Sequence, residues 1–370
     1  MTNNLSKPQH PVNTGSYTLG TTGEDRKQWR ELLDALPTTR RDIHYHPDYL
    51  RIYEETYDET AVLFVFHKEQ EYCICPFIIR QIDFAPRDNR DLTSVYGYGG
   101  PISSCSDDEL SPAFASDFQK ALHQWMNENR FVSEFCLLNP FFSEHQKKLL
   151  GSAVKPIFRK EVVVADLTIP APEMWSRIEE RQRKAAAVAR RKGVVIEHSD
   201  LSKASVADFH HRYLETMEAV SSGDFWKFPD TYFSNCCSCL GSEHVSLFNA
   251  RFEGEIIASF FHLHMYDTLY YHFSCSDMAH RKLNPTSLLM LDSLLWAKEQ
   301  GYKNFHMGGG RTLGQDSLFT FKNSFCDNTL PLTSCTRIVD KDTYEMLCAS
   351  RGLEHSVSEN SFFPLYRRTP

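Results

Sequence analysis

Two hydrophobic rhythms alternate along the chain. From Asp25 to Leu36 the apolar residues Trp29, Leu32, Leu33 and Leu36 recur at helical spacing. Ala61 to Ile82 then reads as two strands around a polar turn at His67–Glu71. A glycine-rich segment, Asp91 to Ser104, precedes a helix from Leu110 to Asn129 and a strand from Phe131 to Pro140. Glu161 to Leu167 is another strand, and it runs into Pro170 and Pro172, where a domain boundary is expected. The second half repeats this order. His244 to Met265 is a hairpin turning at Glu253–Gly254, Thr268 to Ser276 is a strand, and Ser287 to Gln300 is a helix ended by Gly301. A strand, YKNFHMGGG, follows it.

ALHQWMNENRFVSEFCLLNP and SLLWAKEQGYKNFHMGGG share one plan: an amphipathic helix bearing a Trp, a short turn, a strand and a break. The repeat predicts an α/β (α+β) fold of two tandem domains of about 165 residues each, with mixed, mostly antiparallel sheets. The expected limits are a flexible N-terminus (1–20), domain 1 (21–168), domain 2 (169–345) and a tail (346–370).

The break Gly308-Gly309-Gly310 suggests a phosphate cradle, because glycine lets backbone N–H groups approach a ligand. Both nucleotide motifs fail. Gly309 and Gly314 have P-loop separation, but Gln315 and Asp316 stand where Lys and Ser/Thr belong. Gly308 and Gly310 begin a G-x-G-x-x-G, but Leu313 replaces its third glycine. The plainer reading is a strand end that must turn tightly. Asp316 is expected to cap a helix starting at Ser317.

Trp175 to Lys192 reads as one helix ending at Gly193. It carries Arg177, Arg181, Arg183, Lys184, Arg190, Arg191 and Lys192 against Glu179 and Glu180, a local +5 in a chain of net charge -8. A solvated helix face would explain this. A site for a phosphate-bearing ligand explains why the charge is concentrated against the overall balance. Arg183, Arg190 and Arg191 or Lys184 share a side at helical spacing.

The overall charge, with a pI of about 6.1, argues against a dedicated DNA binder. The eleven cysteines show no pairing pattern, and the polar N-terminus lacks the apolar core of a signal peptide. Reduced thiols and a cytoplasmic location are expected, with no membrane span. Cys236, Cys237 and Cys239 lack a second ligand pair, so buried thiols are expected and no metal site.

Taken together, the basic helix with KGVVIEHSD, YYHFSCS, AKEQGY and FHMGGG…DSLFTFKNSF resemble the FemAB-type transferases of the GNAT superfamily. DIHYHPDYL, YGYGGP and the terminal SFFPLYRR fit the same family, in a branch described as GNAT-like acyltransferases of bacterial surface-glycan loci. The resemblance implies two tandem GNAT-like domains. It also implies transfer of an acetyl or aminoacyl group from acyl-CoA or aminoacyl-tRNA, used as co-substrate with no tightly bound cofactor. The acceptor would be an amine of a cell-surface glycan or peptidoglycan-type precursor, nucleotide- or lipid-linked. The basic helix would then meet its pyrophosphate.

The family's Phe-Lys pair falls on Phe321 and Lys322, with Lys322 expected to stabilise an oxyanion or leaving group. Its Tyr-Gly-Gly segment falls on Tyr98, Gly99 and Gly100, with Tyr96 alongside, as a wall of the acceptor pocket. Gly308, Gly309 and Gly310 become a pocket floor at the domain interface. In the CoA-loop region Arg281 is present, but Asn284 and Thr286 occupy the glycine positions. The charged helical arm of some members is missing, so the donor stays open.

Direct transfer needs a proton acceptor, and Asp91, His272 and His306 are the candidates. No G-x-S-x-G marks a nucleophile, and Cys275, His272 and Asp277 cluster in sequence only. The alternative reading is a non-catalytic GNAT-like module that holds a phosphate-bearing ligand.

Overall fold

The computed structural model describes residues 14–85, 88–221, 223–353 and 362–368. The chain forms two compact units: residues 1–50, 59–157 and 333–370 make the first, and residues 51–58 and 158–332 the second. These limits differ from those expected above. Of the flexible N-terminus expected over 1–20, residues 1–13 lie outside the described residues and Gly15–Leu19 is a strand. Residues from Thr333 onward return to the first unit.

In the first unit, β1 (Gly15–Leu19), β2 (Thr60–Lys68), β3 (Glu71–Gln81), β4 (Arg90–Thr93), β6 (Phe131–Leu137) and the end of β13 (Thr329–Ile338) lie in that order across the sheet. A two-residue β5 (Ile102–Ser103) pairs with β3. Neighbours are antiparallel except β4 and β6. A parallel pair needs a crossover, and α3 (Pro112–Glu128) supplies it. Phe64, Phe66, Phe77 and Phe131 pack with Phe118 and Trp125 of α3 to form the core. Around the sheet lie α1 (Gly23–Ala35), the start of α2 (Pro47–Tyr57), α4 (Ser143–Leu150) and α11 (Lys341–Ser350).

The second unit orders its strands β7 (Ile157–Asp166), β12 (Asn304–Gly308), β11 (Thr268–Ser276), β10 (Glu255–Met265), β9 (Val245–Phe252) and β8 (Val195–Ser199). Again one pair is parallel, β11 with β12, and α9 (Pro285–Glu299) crosses between them. The hairpin turns at Glu253 and Gly254, both at positive φ. Leu288 to Leu291 and Leu294 are all buried, so α9 is the central helix of this core, apolar nearly all round. The same order of hairpin, third strand, helix and parallel strand occurs in both units, which is the tandem fold the repeat predicts.

The expected helix Trp175–Lys192 is in fact two, α5 (Ala171–Arg177) and α6 (Glu180–Arg191). Ile178 turns extended and is buried between them, and the Glu179 N–H donates to Ser324 O at 2.9 Å. Tertiary contacts thus override good helix formers. Pattern reading also passed over α7 (Lys203–Ala219), α8 (Asp230–Leu240) and the end strand β13. No helix among the described residues is long and apolar enough to cross a membrane.

Candidate active site

β11 and β12 pair only from Thr268↔Asn304 to Tyr270↔His306. Beyond Tyr270, β11 continues against β10, while β12 ends at Gly308. Two irregularities flank the parting. Phe261 pairs with Phe273 and His262 with Tyr271, which leaves His272 as the extra residue of a bulge. His306 pairs with Val164 and Gly308 with Val163, which leaves Met307 extra. Bulges re-aim side chains and concentrate near active sites.

Lys322 is delivered to this place by α10 (Ser317–Asn323). Asp316 caps the helix as expected, its carboxylate accepting the Phe319 N–H at 2.9 Å. It also accepts from Arg311 N at 2.6 Å and Thr312 N at 2.9 Å, which closes the 310–316 loop into a ring. Gly310 is required here, because a Cβ would stand 2.4 Å from that carboxylate. Behind α10, Gln182 of α6 donates to Ser324 Oγ and accepts from Ser287 Oγ of α9, both at 2.9 Å. This buried amide pins three helices together, and no sequence motif flags it.

The Lys322 side chain is 5 % exposed. Its Nζ donates to Gly309 O at 2.9 Å, and lies 5.0 Å from the centre of the Tyr271 ring. Burial pushes its pKa down to about 7; the nearby Lys160 adds to this, and Asp316 opposes it. Lys160 of β7, absent from the sequence reading, donates to Gly310 O at 2.7 Å and is held below the usual lysine range by burial. The Tyr271 phenol, hydrogen-bonded to Ser274, is pushed up to about 12 by burial. An amine with a near-neutral pKa can donate a proton or hydrogen bond and be recharged near pH 7.

The other expected residues are placed as follows. Gly308 takes φ +77, and a Cβ on it would stand 3.4 Å from Lys322 Nζ. Phe321 packs against Phe325 at 5.3 Å between ring centres, as part of the core. His306 is buried against Tyr270 at 5.1 Å between ring centres. The His272 ring turns to the Tyr232 hydroxyl, 3.0 Å from its Nε2.

On α6, Arg183 lies over the Trp175 ring at 5.8 Å, and Arg190 is 3.8 Å from Asp292. Arg177, Arg181 and Lys184 pair with Glu173, Glu179 and Glu180. Arg191 and Lys192 are exposed at the helix end, where Lys192 reaches Lys282 O. The expected CoA-loop defect is milder than the sequence implies. Asn284 adopts φ +56 and ψ 42, the left-handed conformation a glycine would take, just before α9 begins.

Within the first unit, the expected Tyr96–Gly100 segment is held by a closed polar network. Tyr45 OH donates to Gly99 O at 2.5 Å, and Gln146 Nε2 donates to Gly99 O at 2.7 Å. Tyr49 OH donates to Tyr96 O, and Tyr98 packs edge-on against His44, itself bonded to Asp42 at 2.6 Å. Asp91, a candidate base from sequence, is fully buried and spent on Arg80, Arg367 and Tyr366. It anchors the end of the SFFPLYRR segment, whose Ser361 lies outside the described residues.

One nucleophile geometry that sequence missed does form. Ser103 Oγ is 3.1 Å from His145 Nε2, and His145 Nδ1 is 2.7 Å from Asp107. Ser103 is wholly buried and its own N–H also points at Nε2, so the set braces β5 against α4 and presents no nucleophile. A groove of about 600 Å³ lies elsewhere in this unit, along β1 and α3.

Residues 176–322 match the family model described as an acetyltransferase (GNAT) domain, a span that ends at Lys322. No curated protein matches the sequence. Among solved structures, the chain is similar to FemX, with a TM-score of 0.66 at 12% identity, covering 89% of this chain and 99% of that one. It is similar to L-PGS from Bacillus licheniformis, with a TM-score of 0.52 at 14% identity, covering 90% and 97%. A tandem GNAT protein from the clavulanic acid biosynthesis pathway gives 0.51 at 9% identity, covering 88% and 99%. At such identities the likeness is one of fold. With the family match it assigns an acyltransferase-type domain within the second unit.

Proposed function

We propose that this protein is an N-acyltransferase. It transfers an acetyl or aminoacyl group to an amine of a cell-surface glycan or peptidoglycan-type precursor, in the cytoplasm. The observation that carries the reading is Lys322: a buried amine held on the Gly309 carbonyl where β11 and β12 part, inside the segment that matches the GNAT family.

In this reading the acyl carbonyl enters the parting beside Tyr271. The acceptor amine attacks it directly, and Lys322 donates to the developing oxyanion and then to the leaving group. The proton released by the amine goes to an imidazole on the framing strands, His306 or His272. Gly308, Gly309 and Gly310 form the floor, with Phe321 packed behind the lysine. Tyr96, Tyr98, Gly99 and Gly100 contribute to acceptor binding, and Arg183, Arg190 and Arg191 to its phosphates.

Acyl-CoA is the donor favoured, because Asn284 keeps the left-handed turn before α9 and basic Lys192, Arg281 and Lys282 accompany it. Calorimetric titration with acetyl-CoA, then with bulk charged tRNA at matched low salt, tests the donor. Saturable heat with acetyl-CoA is expected. Silence with acetyl-CoA and binding of charged tRNA would move the donor to aminoacyl-tRNA. Silence with both would sink the proposal.

A further inference from the structure

We propose that Lys160 is a positioning residue for Lys322: it fixes the Gly309–Gly310 turn from the β7 side and sets a second positive charge against the same turn. The two lysines reach consecutive carbonyls from different elements. Lys322 Nζ takes Gly309 O at 2.9 Å, and Lys160 Nζ takes Gly310 O at 2.7 Å. The Lys160 stem also lies along the turn, since a Cβ on Gly309 would stand 3.1 Å from its Cε and 3.2 Å from its Cδ. The same Cβ would stand 3.0 Å from Glu161 O, so the β7 backbone and the Lys160 stem together crowd out a side chain at Gly309.

The charges on this turn do not balance. Asp316 is the carboxylate that faces both lysines, and its oxygens already accept three backbone N–H groups. From β11 the facing group is the Tyr271 phenol, neutral at physiological pH. From the turn, the Gly309 carbonyl accepts from the Lys322 amine. A second cation beside a buried amine disfavours its charged form. Lys160 thus keeps part of the Lys322 population uncharged near neutrality, while its hydrogen bond holds the carbonyl ladder in place. Calling this catalytic rests on the acyltransferase reading; the coupling of the two lysines does not.

The test needs no substrate. The full chain, labelled with ¹³C and ¹⁵N at lysine, is titrated by NMR, with Lys322 assigned through Lys322→Arg. The Lys322 midpoint is expected near neutral in the unaltered protein. Lys160→Met is expected to raise it by about half a pH unit or more, because the like charge is gone. Lys160→Arg keeps the charge and the donor and is expected to restore the original midpoint. An unchanged midpoint in Lys160→Met, or a Lys160→Arg displaced just as far, would overturn the proposal. Should Lys160→Met fail to fold by its amide spectrum, Lys160→Gln, which retains a donor without charge, gives the same decision. A flat result removes Lys160 and leaves the acyltransferase reading standing. Missing turnover with any donor would remove that reading and leave the lysine coupling measurable.

Discussion

Each unit carries a glycine-rich turn, and the two are built on opposite electrostatic terms. At Gly97–Gly100 donors and acceptors meet in pairs: two donors close on Gly99 O, Gln146 also accepts the Asn139 N–H, and the His44 imidazole has the Asp42 carboxylate. At Gly308–Gly310 two lysines meet one carboxylate, and a nearly buried amine is left with one carbonyl and an aromatic face. A satisfied buried network specifies a shape. An under-compensated buried charge costs stability and is poised to respond to a ligand. The two turns thus differ in how far their buried polar and charged groups are compensated.

The largest expected effect falls on turnover. With the donor in hand, Lys322→Ala is expected to lower kcat by about 10²–10³ while calorimetry still detects donor binding. A loss of less than tenfold would place the chemistry elsewhere.

Next comes stability. The Lys322 value of about 7 lies below its ordinary 10.5. Between these values the unfolded chain holds a proton the folded chain lacks, so stability rises with pH across the window; below it the folded protein carries the whole burden. Lys322→Met is therefore expected to stabilise by about 2–4 kcal/mol at pH 6, with the gain fading toward pH 10. Urea denaturation at the two pH values measures this, and a gain independent of pH would contradict the assigned burial of charge.

Gln146→Ala tests the other turn. It leaves the Asn139 N–H and Gly99 O short of partners and is expected to cost about 2–3 kcal/mol. That cost should stay level from pH 6 to pH 9, and a strong pH dependence would erase the contrast between the turns. The smallest change is expected from Gly310→Ala, about 1–2 kcal/mol, as the Asp316 carboxylate is pushed from its cap. Thermal melts would show it, and a neutral result would mean the 310–316 ring yields easily.

The hairpin at Glu253–Gly254, the strand Thr268–Ser276 and the helix opened by Asp316 were legible because period, turn residues and cap are all local. The paired halves were legible for the same reason. Lys322 and the triple glycine could be singled out by motif, and the resemblance supplied a role for them. Lys160 had no signal, being one basic residue at the start of an apolar strand. The break at Ile178–Glu179 was hidden among good helix formers, since its cause is a bond to Ser324, 145 residues away by number.

Sequence by itself determined the alternation of elements, the duplicated plan and the residue types gathered near Phe305–Phe325, because those depend on neighbours in the chain. Only the tertiary structure decided that Asp91 is an anchor, that Ser103, His145 and Asp107 are sealed, and that Lys322 is a buried amine facing a second cation. Burial and charge compensation are sums over groups that folding brings together, and no local pattern contains those sums.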